Sequence, residues 1–276
     1  MDQLPFRKTL ILKTLNDNGF DTKQLSAVIG RGGLLKPLIG GTYKINKSML
    51  EDLYKSERGQ HASNLGGILA YSIAKEKNIP SFIVDPPVVD EVDEIAKITG
   101  LQEIEKEILF HALNQRAIGR RAAMETGKAY DQANIIVAHI GGGISVGVHR
   151  KGRVIDVNNA LDGDGPFSPE RTGSLPVGSL INMCYSGKYT LQELKKKIVG
   201  NGGIVSYLGI NDCRKVSEMI ANGDKKAELI YKAMAYQVAK EIGAAATVLK
   251  GEVDAVAITG GVAYDNQFTN WIKESV

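Results

Sequence analysis

The chain is poor in cysteine, with two in 276 residues (Cys184 and Cys213) and no Cys-x-x-Cys pair. That excludes a disulfide framework and a cysteine-rich zinc site, and it predicts a reducing compartment. Neither sign of charge is in excess. Lys and Arg number 34 against 31 Asp and Glu, a net +3, which is too balanced for a dedicated nucleic-acid binder. The short basic runs Lys195-Lys196-Lys197 and Arg120-Arg121 read as solvated helix faces. Long hydrophobic runs are missing too. The strand-like stretch free of Asp, Glu, Lys and Arg covers residues 135–149, too short for a bilayer and broken by Gly141, Gly142, Gly143 and Gly147. The first eight residues have no apolar segment behind a basic start, so no secretory signal is read. A soluble cytoplasmic protein without nucleic-acid or membrane partners is the expectation.

Several chemistries lack their motifs. No His-Glu-x-x-His is present, and no Gly-x-Ser-x-Gly elbow supports acyl-enzyme hydrolysis. Neither the Gly-x-x-x-x-Gly-Lys-Ser/Thr loop nor the Gly-x-Gly-x-x-Gly dinucleotide pattern occurs. Glycine itself is abundant, 31 residues, mostly as pairs and triplets at the ends of apolar runs. That pattern predicts backbone held close to a ligand.

At a nominal 150 residues per domain the length predicts about two domains, and a 43% hydrophobic content supports sizeable cores. Phe6, Leu10, Ile11 and Leu15 keep helical spacing up to Asn18-Gly19. A strand over 25–29 runs into Gly30-Arg31-Gly32-Gly33, a helix follows from about 62 to 78, and Pro80 opens a strand over 81–84 that delivers Asp85. This alternation predicts a parallel sheet. A domain boundary is placed at 88/89, with the acidic stretch 90–94 in a connecting helix and a long helix over roughly 103–128. Strands ending at His139, His149 and Val157 predict an antiparallel meander. Thr190 and Glu193 form a capping box. A helix over about 224–250 turns Ile230, Met234, Val238, Ile242 and Leu249 inward, and a strand over 253–258 leads to Thr259-Gly260-Gly261. Both ends of the chain read as cut.

Taken singly, each candidate site has an ordinary alternative. The loops at Gly141–Gly143 and Gly260–Gly261 suit an anion or plain turn chemistry. Arg31 among glycines can present its fork to a carboxylate or phosphate, or be a surface turn residue. Arg171, in a loop stiffened by Pro166, Pro169 and Gly173, is the better candidate. Asp85 stands where α/β folds put ligand contacts, or closes a turn. His139 precedes the triple glycine, and His111, read on a helix, shares its ambiguity between core and catalytic roles. His149 is read as facing a turn, with no function.

Together, VIGRGGLLKP (28–37), GQHASNLGG (59–67), FIVDPPVVDEVDEI (82–95), FHALNQRAIGRR (110–121), the long block 137–176, GGIVSYLGINDCRKV (202–216) and AITGGVAYDN (257–266) resemble the acetokinase family. The likeness is strongest to its butyrate-acting members and extends over essentially the whole chain. The resemblance implies an α/β fold of two domains, shared by acetate and sugar kinases and actin, ribonuclease-H-like in topology. It implies an acyl-substrate domain over 1–88 and a nucleotide-binding domain over 89–276. The family's opening hairpin, with its Asn-x-Gly-Ser-x-Ser loop, and a late acidic segment have no counterpart here. The first domain is therefore expected to be incomplete and the chain by itself poorly active.

The activity implied is reversible phosphoryl transfer from MgATP to the carboxylate of butyrate, giving butanoyl phosphate and ADP. Branched-chain, propionate or acetate phosphorylation, or an inactive fragment, are the alternatives. Carried over by position, Arg31 and Arg171 clamp the acid and the transferring group, and His111 and His139 donate to its equatorial oxygens. Asp85 orients the Mg²⁺ ion. Gly141, Gly142 and Gly143 cradle the ATP phosphates, Asp212 and Arg214 flank the nucleoside, and Gly260, Gly261 and Val262 lie beneath it. A homo-oligomer, at least a dimer, is also implied.

Overall fold

The computed structural model describes residues 3–59 and 61–276. Gln60, inside the 59–67 motif, and the first two residues, part of the stretch read for a secretory signal, lie outside the described residues. The chain divides into two compact units, Met1–Glu91 and Val92–Val276.

In the first unit the elements are α1 (Gln3–Asp17), β1 (Val28–Arg31), β2 (Thr42–Lys44), α2 (Lys47–Lys55), α3 (Asn64–Glu76) and β3 (Ser81–Val84). β3 is central: β1 pairs with it in parallel and β2 antiparallel, so the sheet is mixed, not purely parallel. Leu53, Ile68, Ile73 and Ile83 are buried at its core. β1 begins three residues later than the apolar run at Leu25 suggested, because β3 offers partners only from Ser81 onward.

The second unit contains α4 (Glu94–Lys97), α5 (Ala112–Glu125), β4 (Asn134–Ile140), β5 (Ile144–Arg150), β6 (Arg153–Val157), α6 (Val177–Cys184), α7 (Leu191–Ile198), α8 (Gly203–Leu208), α9 (Cys213–Ala221), α10 (Lys225–Val248), β7 (Ala255–Thr259) and α11 (Asn266–Lys273). The sheet order is β6-β5-β4-β7, an antiparallel meander with β7 added parallel to β4. Successive side chains of a strand face opposite ways, and β4 shows what each face meets. Ile136, Ala138 and Ile140 join the large core under α10, with Tyr231, Met234, Val238 and Ile242. Each buried Ile, Val or Met side chain there contributes roughly 1.5–3 kcal/mol. Ile135 and Val137 face the other way and pack with Ala122 and Ala123 of α5.

Two helical expectations fail here. The helix read over 103–128 is helical only from Ala112 to Glu125. Before it, Ile108 and Phe110 are buried in alternation, and the carbonyls of Glu107 and Leu109 accept from Asn159 Nδ2 and the Ala160 N–H. An extended segment with tertiary partners overrides helix propensity. The acidic stretch 90–94 is not a helix either. Val88, Val89 and Val92 are buried along an extended path. The Asp93 carboxylate accepts from Arg150 at 2.7 Å, leaving only the single turn α4.

Candidate active site

In the first unit Arg31 and Asp85 stand at neighbouring strand ends, since Arg31 is in register with Val84. This is where open α/β sheets place ligand contacts. Arg31 is exposed at its strand end. Its flanking glycines permit close packing. A Cβ on Gly30 would strike the Gly66 carbonyl of α3, and one on Gly33 would meet Asn64. Asp85 is buried at 2% exposure, with φ +37°, a left-handed value that short polar side chains tolerate best. Its Oδ1 accepts from the Gly41 N–H at 2.8 Å. Magnesium is commonly held by only one or two carboxylates plus phosphate oxygens and water. Asp85 fits that modest demand, and among the described residues no group of three or more His, Cys, Asp or Glu could hold a metal alone.

In the second unit His139 lies on the α5 face of β4, opposite Ser145 of β5. Its Nδ1 donates to Asn114 Oδ1 at 2.7 Å, and its Nε2 points at the turn, where a Cβ on Gly141 would stand 3.2 Å away. His111 is not within a helix, as the sequence suggested, but caps the start of α5 with non-helical backbone. Its ring stacks on that of His139, centroids 3.8 Å apart and planes 11° from parallel.

Arg171 sits behind the same turn. Ser168 Oγ donates to the Gly142 carbonyl at 2.6 Å and accepts from the Arg171 N–H at 3.1 Å, tying the arginine loop to the glycines. Arg171 Nη1 donates to the Ala160 carbonyl. A Cβ on Gly143 would collide with this guanidinium, so glycine there makes room for a side chain. Burial lowers the guanidinium's pKa from its ordinary value, with Glu170 opposing. Arg171 Nε is buried without a hydrogen-bond partner among the described residues. A desolvated cation with an unspent donor is suited to an anion.

Six of the eight residues expected at the nucleotide line one cavity of about 370 Å³: Gly141, Gly142, Asp212, Arg214, Gly261 and Val262. Pro169, Glu170, Asn211 and Cys213 complete its wall. Gly143 and Gly260 are not in this lining. Gly143 backs onto Arg171. Gly260, at φ +93°, lies against the Ile140 backbone and borders a separate cavity of about 690 Å³ along β7. Asp212 and Arg214 are engaged with each other: Arg214 Nε and Nη2 donate to the two carboxylate oxygens at 3.0 and 2.9 Å, which holds the Asp212 carboxyl below its ordinary pKa.

Sequence reasoning missed Asn114, Gln115, Ser145, His149 and Tyr130. His149 does not face a turn as expected: it is fully buried. A signal existed. Ser145, Gly147 and His149 alternate along one strand face, and His111, Gln115 and Gly119 recur at four-residue spacing from the cap of α5 into the helix. Polar residues in these two periods mark facing surfaces.

The model of the acetokinase family matches residues 104–272. Butyrate kinase 1 of Clostridium acetobutylicum is 56% identical over 275 residues, covering 100% of this chain and 78% of that protein. The chain belongs to the acetokinase family. This acetokinase also shares its fold with two solved enzymes. The acetate kinase of Porphyromonas gingivalis superposes with a TM-score of 0.83 at 22% identity, over 97% of this chain and 71% of the other. A propionate kinase from Francisella tularensis gives 0.80 at 21%, with the same coverage. The α/β fold of these acetate and propionate kinases is therefore also that of this acetokinase, a carboxylate-accepting phosphotransferase. No helix of the described residues is long and apolar enough to cross a membrane.

Proposed function

We propose that this acetokinase catalyses reversible phosphoryl transfer between MgATP and butyrate, forming butanoyl phosphate and ADP. The observation that carries the reading is Arg171: a buried guanidinium with an unpartnered Nε, held beside the Gly141–Gly143 turn. The likeness to a butyrate kinase supports the choice of acid.

A fatty acid is ionised at pH 7, so no general base is needed. A carboxylate oxygen attacks the γ-phosphorus, and the bond from that phosphorus to the ADP oxygen breaks. The moving phosphoryl group is loosely bonded, with its charge on equatorial oxygens, so rate comes from positioning and from donors aimed at those oxygens. In this reading Arg171 and the stacked His111 and His139 face the transferring group and Arg31 holds the carboxylate. The cavity at Gly141, Gly142, Asp212, Arg214, Gly261 and Val262 takes the nucleotide, with Gly143 and Gly260 shaping its approach. Asp85 would hold the Mg²⁺ that arrives with ATP, and the ion would supply neutralisation of phosphate charge. A homo-oligomeric, cytoplasmic enzyme belongs to the same proposal.

The test is ATP-dependent acyl hydroxamate formation with butyrate, isobutyrate, propionate and acetate in parallel. One methylene is worth about 1–3 kcal/mol in a fitted pocket. Butyrate should exceed acetate in kcat/KM by roughly 10-fold or more. Equal rates would remove butyrate specificity, and no product with any acid would overturn the activity.

A further inference from the structure

A line of buried polar side chains runs between α5 and the sheet, ending at His111. Gln115 is fully buried at its centre, in space that only glycine leaves: a Cβ on Gly147 would strike the Gln115 amide. On α5, Gly119 makes the matching gap, since a Cβ there would stand 3.0 Å from both His149 Nδ1 and the Tyr130 ring. The register of β5 against β6 shifts between Val148 and His149, an irregularity of the kind that re-aims a side chain.

The hydrogen bonds have one consistent direction. Gln115 Nε2 lies 3.0 Å from the Ser145 carbonyl and 2.8 Å from Ser145 Oγ. A backbone carbonyl only accepts, so the amide nitrogen must be the atom facing it, and the Gln115 orientation is settled. Gln115 Oε1 therefore accepts from His149 Nε2–H at 3.1 Å. Burial, with the Arg116 and Arg120 charges nearby on α5, pushes the His149 pKa down to about 3, so this ring carries a single proton. Its Nδ1 then accepts from the Tyr130 hydroxyl at 2.7 Å. At the other end Ser145 is fully buried and its Oγ already accepts from Gln115. Among the described residues its hydroxyl proton has one acceptor, His111 Nδ1 at 2.9 Å. A buried hydroxyl left undonated would be costly.

We propose that Tyr130, His149, Gln115 and Ser145 form a positioning relay that holds His111 as a neutral imidazole with its proton on Nε2. His111 is thereby a fixed hydrogen-bond donor at Nε2. Its stacked neighbour His139 donates from Nδ1 to Asn114. None of the relay members lines the cavity assigned to the nucleotide. The proposal rests on the functional reading above for its effect on turnover, but not for the proton position itself.

The experiment is ¹⁵N-histidine NMR at pH 7 on the chain, which has four histidines, assigned by single substitutions. The wild type should show His111 protonated at Nε2 and not at Nδ1. A ring protonated at Nδ1 overturns the relay whatever any variant does. Ser145→Ala and the near-isosteric Gln115→Met should each convert His111 to a mixture of tautomers. Each should lower kcat about 10-fold or more, less than the roughly 100- to 1,000-fold that loss of a donor itself costs, with both KM values within about 2-fold. An unchanged His111 tautomer in either folded variant overturns the proposal. Tyr130→Phe, at the half-buried end, is the gentler variant should the others not fold. It should leave His149 protonated at Nε2, where Gln115 Oε1 holds the proton, and a His149 protonated at Nδ1 would break the chain at that link. A wild type inactive with every acid but showing Nε2–H at His111 would sink the kinase reading and leave the relay standing.

Discussion

His111 lies flat on His139, 3.8 Å between ring centroids, although one caps a helix and the other is the penultimate residue of a strand. The stack makes the two rings one unit. Removing either should cost more than its own donor, because the partner loses the surface that orients it. We expect His111→Ala and His139→Ala each to reduce kcat by roughly 100- to 1,000-fold. The double variant should be clearly less damaging than the product of the two, a coupling of at least about 0.5 kcal/mol in a double-mutant cycle. Additive losses would show that the rings act independently.

Arg171 is held by the glycine turn and one carbonyl, with its Nε unspent. Arg171→Ala should lower kcat by about 1,000-fold or more while leaving the thermal transition near the wild-type temperature. Arg171→Lys should recover little, since a point charge does not replace a planar fork. A kcat within a few-fold of wild type in the alanine variant would remove Arg171 from the reaction.

Gly143→Ala tests the same arginine from the opposite side. The added methyl meets the guanidinium and stands 2.9 Å from the Ala160 carbonyl, and the flexible side chain is the part that can yield. Displacing a catalytic group by an ångström costs on the order of 100-fold. We expect a kcat loss of that order with destabilisation of only about 1–3 kcal/mol in urea titrations. A variant that unfolds outright would show that the turn, not the arginine, is what glycine protects.

His149 should leave a mark on stability. Its folded pKa, about 3, lies below the ordinary 6.5, so between those values the unfolded chain binds a proton that the folded chain refuses. Stability therefore falls as pH drops from 6.5 toward 3, by up to about 1.4 kcal/mol per unit from this group, and is level above. Urea midpoints at pH 7, 6 and 5 should fall more steeply for the wild type than for His149→Phe. Parallel slopes would mean that the ring is not held neutral.

Much of this was legible along the chain. The spacing of Met234, Val238 and Ile242 declares α10, the Thr190–Glu193 box starts α7, and the strands around the triple glycine announce β4, β5 and β6, because each rests on contacts near in sequence. The motifs likewise mark Arg171 and the glycine turn as candidates. The segment 103–111 reads as helix but is extended, because its partners, Asn159 and Ala160, lie some fifty residues away. The same distance hides the relay. Gln115 and Ser145 are 30 residues apart, and His149 meets Gln115 only when α5 lies down on the sheet. Local periodicity determined which residues of α10 face inward; only the packing of α5 on β4 and β5 decided which polar side chains meet, since hydrogen bonds form between neighbours in space.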